Sequence, residues 1–510
     1  MTVMKIFLAQ TNAVSATVEA TSNWLTVFER WVDWIDGIVW GLPLIGTILA
    51  TGLILTLALR FSHVLNLGRA FRYLFHREEG AEVSGEVSSF GALCTALSAT
   101  IGTGNIVGVA TAIGTGGPGA LFWMEVAAFF GMATKYAEGL LAVKYRDVLP
   151  DGRVLGGPFY YIEKGMGAKW RPLAVLFAVF GTLAGVMGIG TVTQIHGITS
   201  AVQRFFDPGF NPMDMSTGIQ MFGTTYSLSV VVTGLVVTVC VGLVVIGGLK
   251  RIARVSSVVV PFMMIFYLLF IVVLLVANAS KIPAALGVIV KAAFNPAAFT
   301  GGLVGSMLIA MQKGIARGIF SNEAGLGSAP IAAAAAKTNE PVRQGLVCMT
   351  GTFLDTIVIC TMTGLAIVVT GAWEPSLGLK GVDITIEAFG RGLAFLGGFS
   401  EWLSAFFLMT SLTFFAFTTI LGWNYYSEKC LEYLVGSHRQ WVLKLFRVLY
   451  VAVVFAGPYL TVSVVWGIAD VFNGLMAFPN LVALLVLTPE VARTTRAYFA
   501  RLKTRPTECR

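Results

Sequence analysis

Charged residues are scarce in this 510-residue chain, where Asp, Glu, Lys and Arg together make up only 12%. A soluble globular chain carries about 25%. Hydrophobic residues reach 56% and the mean hydropathy is +0.78. A chain so poor in charge cannot cover its surface in water. This composition excludes a soluble enzyme, a disordered protein and a nucleic-acid-binding protein, despite a net charge of +8.

Histidine and cysteine are also rare, and the common catalytic motifs are missing. The chain has four histidines and six cysteines. No CxxC motif occurs, so free thiols are expected. No HExxH, GxSxG or Walker-type sequence is found. The sequence therefore predicts no enzyme, no nucleotide, no nucleic-acid partner and no organic cofactor.

Long apolar segments are what the sequence has instead. A helix crosses about 30 Å of hydrocarbon with about 20 apolar residues. An all-α integral membrane protein with about eleven transmembrane helices is predicted. The seventh segment is too long for a simple span and is expected to be broken. The candidate spans are 38–59, 90–115, 118–143, 172–200, 227–248, 255–277, 300–336, 344–371, 402–428, 448–464 and 466–488.

The basic residues are distributed unevenly between the two sides of this arrangement. With the N-terminus outside, 25 Lys and Arg lie in cytoplasmic segments and 7 in external ones. Cytoplasmic loops carry such an excess, so the C-terminus is predicted inside. Residues 1–37 are interpreted as an external amphipathic segment. Residues 38–89 are predicted to be the first span with its cytoplasmic loop, and 489–510 a basic cytoplasmic tail.

Two spans contain glycines around a central asparagine. The motifs are Asn105-x-x-Gly108 and Asn322-x-x-Gly325. Glycine weakens a helix by about 1 kcal/mol relative to alanine, and irregular backbone at membrane depth has to line a cavity or lie within protein. Close helix packing is the alternative explanation.

The two motifs lie in the first helices of two successive five-span blocks, residues 90–277 and 300–488. Five is odd, so the blocks enter the membrane from opposite sides. Paired broken helices in such blocks are typical of inverted-repeat secondary transporters. The free N–H groups at one half-helix end receive an anion, and the free carbonyls at the other receive a cation.

Four stretches resemble the alanine/glycine:cation symporter family: 101–113, 156–167, 318–330 and 421–430. The resemblance extends from the second span to the ninth. It implies a leucine-transporter-like fold of the amino acid–polyamine–cation superfamily. It also implies sodium-coupled uptake of alanine or glycine across a bacterial-type plasma membrane.

The resemblance also implies site residues. Amides near the first break would hold a carboxylate. The second break would supply carbonyls for an ammonium group and an aromatic lid, and Asn105 would face the substrate or an ion. We interpret Gln194 as a substrate contact or a helix–helix hydrogen bond, and Trp423 as a pocket wall or an interfacial anchor. The candidate substrate residues are Gly102, Thr103, Gly104, Asn105, Gln194, Phe320, Ser321, Asn322 and Trp423. The candidate sodium ligands are the carbonyls of Ser98 and Ile101 and the hydroxyls of Thr418 and Thr419.

Charged residues inside membrane spans are by default candidate functional residues. Arg317 and Glu323 flank the second break and are expected to hold its ends. Asp355 is interpreted as a buried hydrogen-bonded group or as a cation ligand. The expected partners are alanine or glycine, Na⁺ and the lipid bilayer. The oligomeric state is left open, with a monomer among the options. The alternatives are a proton-coupled or uncoupled amino-acid permease and, less favoured, an ion channel.

Overall fold

The computed structural model describes residues 27–32, 34–76, 84–211, 218–221, 224–294, 307–460 and 462–504. Helices build almost all of it, as the composition predicts. The strands form two antiparallel hairpins outside the long helices. They are β1 (Asp147–Val148) with β2 (Val154–Leu155), and β3 (Ile219–Met221) with β4 (Thr224–Tyr226).

Helices occur in the predicted spans, but several ends differ: the span predicted at 448–464 is the helix Gln440–Ala456, and the one predicted at 466–488 is Val462–Thr504. Residues 27–32 and 34–39 are also helical and precede Gly41. A π-helical stretch, Phe353–Cys360, joins α15 to α16. In chain order the helices are α1 Leu42–Ala58, α2 Ser62–Leu65, α3 Leu67–Phe75, α4 Ser89–Thr100, α5 Val107–Gly116, α6 Gly119–Lys144, α7 Pro158–Tyr160, α8 Arg171–Met187, α9 Val192–Phe206, α10 Leu228–Val245, α11 Gly248–Ala277, α12 Ile282–Phe294, α13 Met307–Asn322, α14 Ala329–Ala333, α15 Pro341–Thr352, α16 Thr361–Thr370, α17 Val382–Gly392, α18 Phe399–Val435, α19 Gln440–Ala456 and α20 Val462–Thr504.

Nine helical segments within the described residues are long and apolar enough to cross a membrane. Two further apolar segments are interrupted, α4 with α5 and α13 with α14, and these are the two spans predicted to be broken. A third interruption, between Met187 of α8 and Val192 of α9, falls in the span 172–200, where the sequence predicts a continuous helix. The start of the predicted span 300–336 and most of the segment 1–37 lie outside the described residues. Helix α20 continues to Thr504, so part of the predicted tail is helical. The count of eleven spans and the five-plus-five repeat stay predictions.

Helix α11 shows how the long helices face lipid and protein. Large apolar side chains at 258, 262, 265, 269 and 276 are all more than half exposed. Met263, Tyr267 and Ile271 on the other face are buried. The exposed positions recur every three to four residues, which is one face of an α-helix. An apolar stripe of this length is stable only against hydrocarbon or another protein.

Helix α6 lies at the centre of the bundle, between α13 and α15. Small residues let these backbones approach closely. A Cβ on Gly314 of α13 would lie 2.1 Å from the carbonyl oxygen of Ala120, and one on Gly345 of α15 would lie 2.7 Å from that of Tyr136. The close packing holds the helix before the second break against α6.

Candidate functional site

The first break exposes two backbone N–H groups inside the protein. Helix α4 ends at Thr100, and Ile101 and Gly102 are extended. A 3₁₀ turn, Thr103–Asn105, leads into α5. The Gly102 amide donates to Oδ1 of Asn105 at 2.9 Å. Within the described residues, the amides of Thr103 and Gly104 have no acceptor. They are oriented donors at the start of α5, where an anion is favoured.

The second break is held open by left-handed backbone between α13 and α14. Gly325 and Gly327 have φ values of 89° and 80°, and Glu323 has a φ of 55°. This conformation suits glycine but is uncommon for other residues. Glu323 is kept in it by partners at both carboxylate oxygens. The indole Nε1 of Trp423 donates to Oε1 at 3.0 Å, and the Ser328 hydroxyl donates to Oε2.

A buried carboxylate ties the two breaks together. Asn105 donates from Nδ2 to Oδ1 of Asp355 at 2.7 Å. The Ser321 hydroxyl donates to Oδ2 of the same residue at 2.9 Å. Asn322 donates to the Thr356 hydroxyl at 3.0 Å, one residue further along the π-helical stretch. The side chains of Asn105, Ser321 and Asn322 are thus bound to this stretch and do not line the cavity between the breaks. Of the two interpretations of Asp355, a buried hydrogen-bonded group or a cation ligand, these contacts agree with the first.

The two breaks enclose a small cavity, here called the central cavity, in which the centre of a water-sized sphere can reach about 10 Å³. One water molecule needs about 10–15 Å³ by this measure, so the cavity is nearly closed in this conformation. Its lining includes six of the predicted residues: Gly102, Thr103, Gly104, Gln194, Phe320 and Thr419. The remaining lining residues are Ala99, Thr100, Ile189 and Glu323.

Gln194 presents an acceptor to this cavity. Its Nε2 donates to the carbonyl of Ile189 at 3.0 Å, across the interruption between α8 and α9. Its Oε1 is buried and accepts no hydrogen bond within the described chain. A Cβ on Gly102 would lie 3.6 Å from this oxygen. An unpaired buried acceptor costs free energy, which favours a bound donor. The amide nitrogen of Gln194 is thus used within its own interrupted segment, while the amide oxygen has no partner in the described chain.

Glu323 was missed as a cavity residue by sequence reasoning. The sequence does carry a signal for this residue, because an ionisable side chain inside a membrane span is by default a candidate functional residue. Its carboxylate accepts a hydrogen bond from Ser328 across the break, which agrees with the expected holding role, and another from Trp423. The same residue also lines the central cavity, which the sequence does not predict. The cavity therefore has amide donors on one break and acceptors at Gln194 and Glu323. That pattern complements a small solute with both an anionic and a cationic group.

Trp423 is fully buried, so the interfacial-anchor interpretation is wrong. Its position near a predicted span end is deceptive, because α18 continues to Val435. The Cβ of Trp423 lies against Gly190, where a Cβ on the glycine would come within 2.5 Å of it. Trp423 does not line the central cavity, as a pocket wall would, and contacts it only through the carboxylate of Glu323.

Oxygens from α18 meet the first break beside the central cavity. The Thr419 hydroxyl lies 3.3 Å from the Ile101 carbonyl and 3.0 Å from that of Phe415. The Thr418 hydroxyl lies 3.0 Å from the same Phe415 carbonyl. The Ser98 hydroxyl is bound to the carbonyl of Thr95, so only the Ser98 carbonyl remains as a candidate ligand. Phe415 was missed, since a backbone carbonyl gives no signal in a side-chain pattern.

Interrupted apolar helices around a small polar cavity define a multi-pass membrane transporter. The chain belongs to the sodium:alanine symporter family, whose model matches residues 25–509. It is 52% identical to an uncharacterized transporter of Haemophilus influenzae, over 92% of this chain and 96% of the relative. It is 44% identical to the sodium/alanine symporter AgcS of Methanococcus maripaludis, over 92% and 97%.

The fold is also shared with a solved structure. The crystal structure of MhsT in complex with L-phenylalanine aligns with a TM-score of 0.52 and 13% identity, covering 83% of this chain and 99% of MhsT. MhsT has the leucine-transporter fold, so the fold expected from the sequence is confirmed.

Proposed function

We propose that the protein imports alanine or glycine together with Na⁺ by alternating access. The observation that carries the proposal is the central cavity, with free amide donors, acceptors and a threonine–carbonyl cluster within one small space. The substrate carboxylate lies at the Thr103 and Gly104 amides. The ammonium group lies toward Gln194 and Glu323. Family membership supports an amino-acid symporter, and the oxygens near Thr419 support Na⁺, which prefers hard oxygen ligands as other hard cations do.

The direct test is uptake of radiolabelled alanine into proteoliposomes. Uptake should require an inward Na⁺ gradient and should not respond to a pH gradient. Uptake driven by a pH gradient alone would favour the proton-coupled permease, and equilibration without any gradient would favour the uncoupled one.

Substrate size gives the second prediction. Glycine should compete with alanine for uptake, and leucine and phenylalanine should not. Overpacking a rigid core costs about 1–3 kcal/mol, roughly 5- to 150-fold in affinity. Phe320→Ala removes a wall of the central cavity and should let leucine compete. If leucine inhibits the wild type as well as alanine does, the cavity does not set the substrate size.

Ion affinity gives the third prediction. Thr419→Ala should raise the Na⁺ concentration for half-maximal uptake by at least about tenfold, since even outer-shell changes at metal sites cost about 10- to 100-fold. Thr419→Ser should restore it. Thr413→Ala is the matched control, because its hydroxyl is bound to the Met409 carbonyl within the same helix. If Thr419→Ala and Thr413→Ala show the same Na⁺ dependence, α18 does not contribute to the ion site.

We also propose that the chain lies in the bacterial inner membrane with its N-terminus outside and its C-terminus in the cytoplasm. The excess of basic residues in the assigned cytoplasmic segments supports this orientation. An epitope tag after residue 510 should be reached by antibody only in permeabilised cells. A tag labelled in intact cells would reverse the topology.

A further inference from the structure

A large apolar cavity, here called the lateral cavity, lies between α9, α17 and α18. The centre of a water-sized sphere can reach about 370 Å³ in it, against about 10 Å³ in the central cavity. Nine of its fourteen lining residues are apolar. Two of the polar ones, His196 and Ser200, are hydrogen-bonded to each other at 3.3 Å. The lateral cavity therefore has room for a ligand but offers it few hydrogen-bonding partners.

The inner end of the lateral cavity touches the central cavity. Thr103 lines both, and its methyl group faces Gly197, where a Cβ would lie 3.1 Å away. Leu408 and Leu412 of α18 also line the lateral cavity, and only 3% of each is exposed. A group that contacts these two leucines has therefore entered the cavity and does not lie on the outer surface of the bundle.

The other end of the lateral cavity opens beside exposed aromatic rings. Phe205 of α9 lies 6.0 Å from Trp402 and 5.9 Å from Phe406, measured between ring centres. The rings of Trp402 and Phe406 stack on each other, and Trp402 is 51% exposed. Tryptophan and other amphipathic rings concentrate where a bilayer meets water. In the proposed orientation this end lies at the external membrane surface, because α9 ends and α18 begins there.

An ion pair lies at the same end. Arg204 of α9 lines the cavity and is paired with Asp383 of α17. Their side chains are 50% and 41% exposed. An exposed ion pair contributes little to stability, so both groups can be shared with a ligand at small cost. Arginine suits a phosphate, and a carboxylate suits an ammonium group. The head group of a zwitterionic phospholipid carries both.

We propose that the lateral cavity binds one acyl chain of a phosphatidylethanolamine from the outer leaflet of the membrane. The phosphate lies at Arg204 and the ammonium group at Asp383, and the chain passes Phe205 to reach Leu412. Water does not fill such a cavity well, because a buried water needs about two to four polar partners. An empty cavity would lose dispersion contacts along its walls. The chain end supports Thr103, a wall of the central cavity, from behind.

Photo-crosslinking of the full-length protein in phosphatidylethanolamine liposomes tests the proposal. The probe is a trace of phosphatidylethanolamine with a diazirine at the end of one acyl chain, and adducts are assigned to residues by mass spectrometry. Wild type should form adducts on Leu408 and Leu412 as well as on the exposed apolar stripe of α11. Ala405→Phe fills the cavity and should reduce the adducts on both leucines roughly tenfold, the order that overpacking implies. Adducts on α11 should not change.

Two variants serve as matched controls. Ala277→Phe adds the same ring at an exposed position on α11 outside the lateral cavity, so it should leave the leucine adducts unchanged. Arg204→Gln should reduce them about tenfold, as expected for the loss of a hydrogen bond to a charged group. Arg391→Gln breaks another exposed ion pair of α17, with Glu387, and should have no effect.

Three results would overturn the lipid site. They are no adduct on Leu408 or Leu412 in wild type, equal adduct yields in wild type and Ala405→Phe, and equal labelling by a diazirine diacylglycerol that lacks the head group. The first two would indicate a water-filled or closed cavity, and the third would show that Arg204 and Asp383 do not hold the lipid. Alanine uptake is not measured, so the outcome is independent of the proposed function.

Discussion

Gly102→Ala should abolish Na⁺-driven uptake at ordinary Na⁺ concentrations. The new Cβ would lie 2.7 Å from Oγ1 of Thr419, too close for any carbon–oxygen contact. The hydroxyl would have to leave the Ile101 carbonyl, and the proposed ion site would lose its geometry. Overpacking of about 1–3 kcal/mol corresponds to roughly 5- to 150-fold in Na⁺ affinity. The measurement is the Na⁺ dependence of alanine uptake.

Gly104→Ala is the matched control for this change. Its Cβ would lie 3.4 Å from the nearest atom, Cα of Ser321, which is an ordinary contact. Both glycines line the central cavity. The structure separates the two positions, and Gly104→Ala should retain the Na⁺ dependence of the wild type. If both variants respond equally to Na⁺, the clash at Thr419 is not the cause.

Glu323→Gln should reduce alanine affinity by roughly 10- to 150-fold at unchanged Na⁺ affinity. The substitution keeps the size of the side chain and an acceptor for Trp423, but removes the negative charge facing the substrate ammonium group. A hydrogen bond to a charged group contributes about 1.5–3 kcal/mol, and about 1.4 kcal/mol is tenfold. The measurement is alanine binding to the purified variant, with Na⁺ held at saturation.

Trp423→Phe separates the charge of Glu323 from its position. It removes the indole donor on Oε1 and part of the ring volume but keeps an aromatic ring and the Glu323 charge, so it should weaken alanine binding less than Glu323→Gln does. Both variants should bind Na⁺ as the wild type does. Wild-type alanine affinity in Glu323→Gln would show that the ammonium group lies elsewhere in the cavity.

Much of the architecture could be predicted because hydrocarbon imposes a simple rule on sequence. Long apolar runs become helices, and glycine beside asparagine at mid-span marks a break. Both breaks occur in the spans where the sequence places them. Within the second break the irregular backbone begins after Asn322, at Glu323. Only backbone geometry reveals that a glutamate occupies a left-handed position just before two left-handed glycines, Gly325 and Gly327.

Side-chain direction was the part that sequence could not supply. Asn105, Ser321 and Asn322 lie in the breaks as predicted, yet their amides and hydroxyl reach Asp355 and Thr356, more than 30 residues away along the chain. Such pairings depend on the tertiary fold. Backbone groups such as the Phe415 carbonyl leave no mark on residue type at all.

The attachment of both breaks to Asp355 has a mechanical consequence. The two breaks share one joint, through Asn105 on one side and Ser321 on the other. A tilt of either half-helix strains the same carboxylate, so neither break changes shape alone. For the proposed symport, this shared joint opposes slippage, in which one solute crosses while the other is left behind. The tightness of the proposed coupling then depends on a residue that does not line the central cavity.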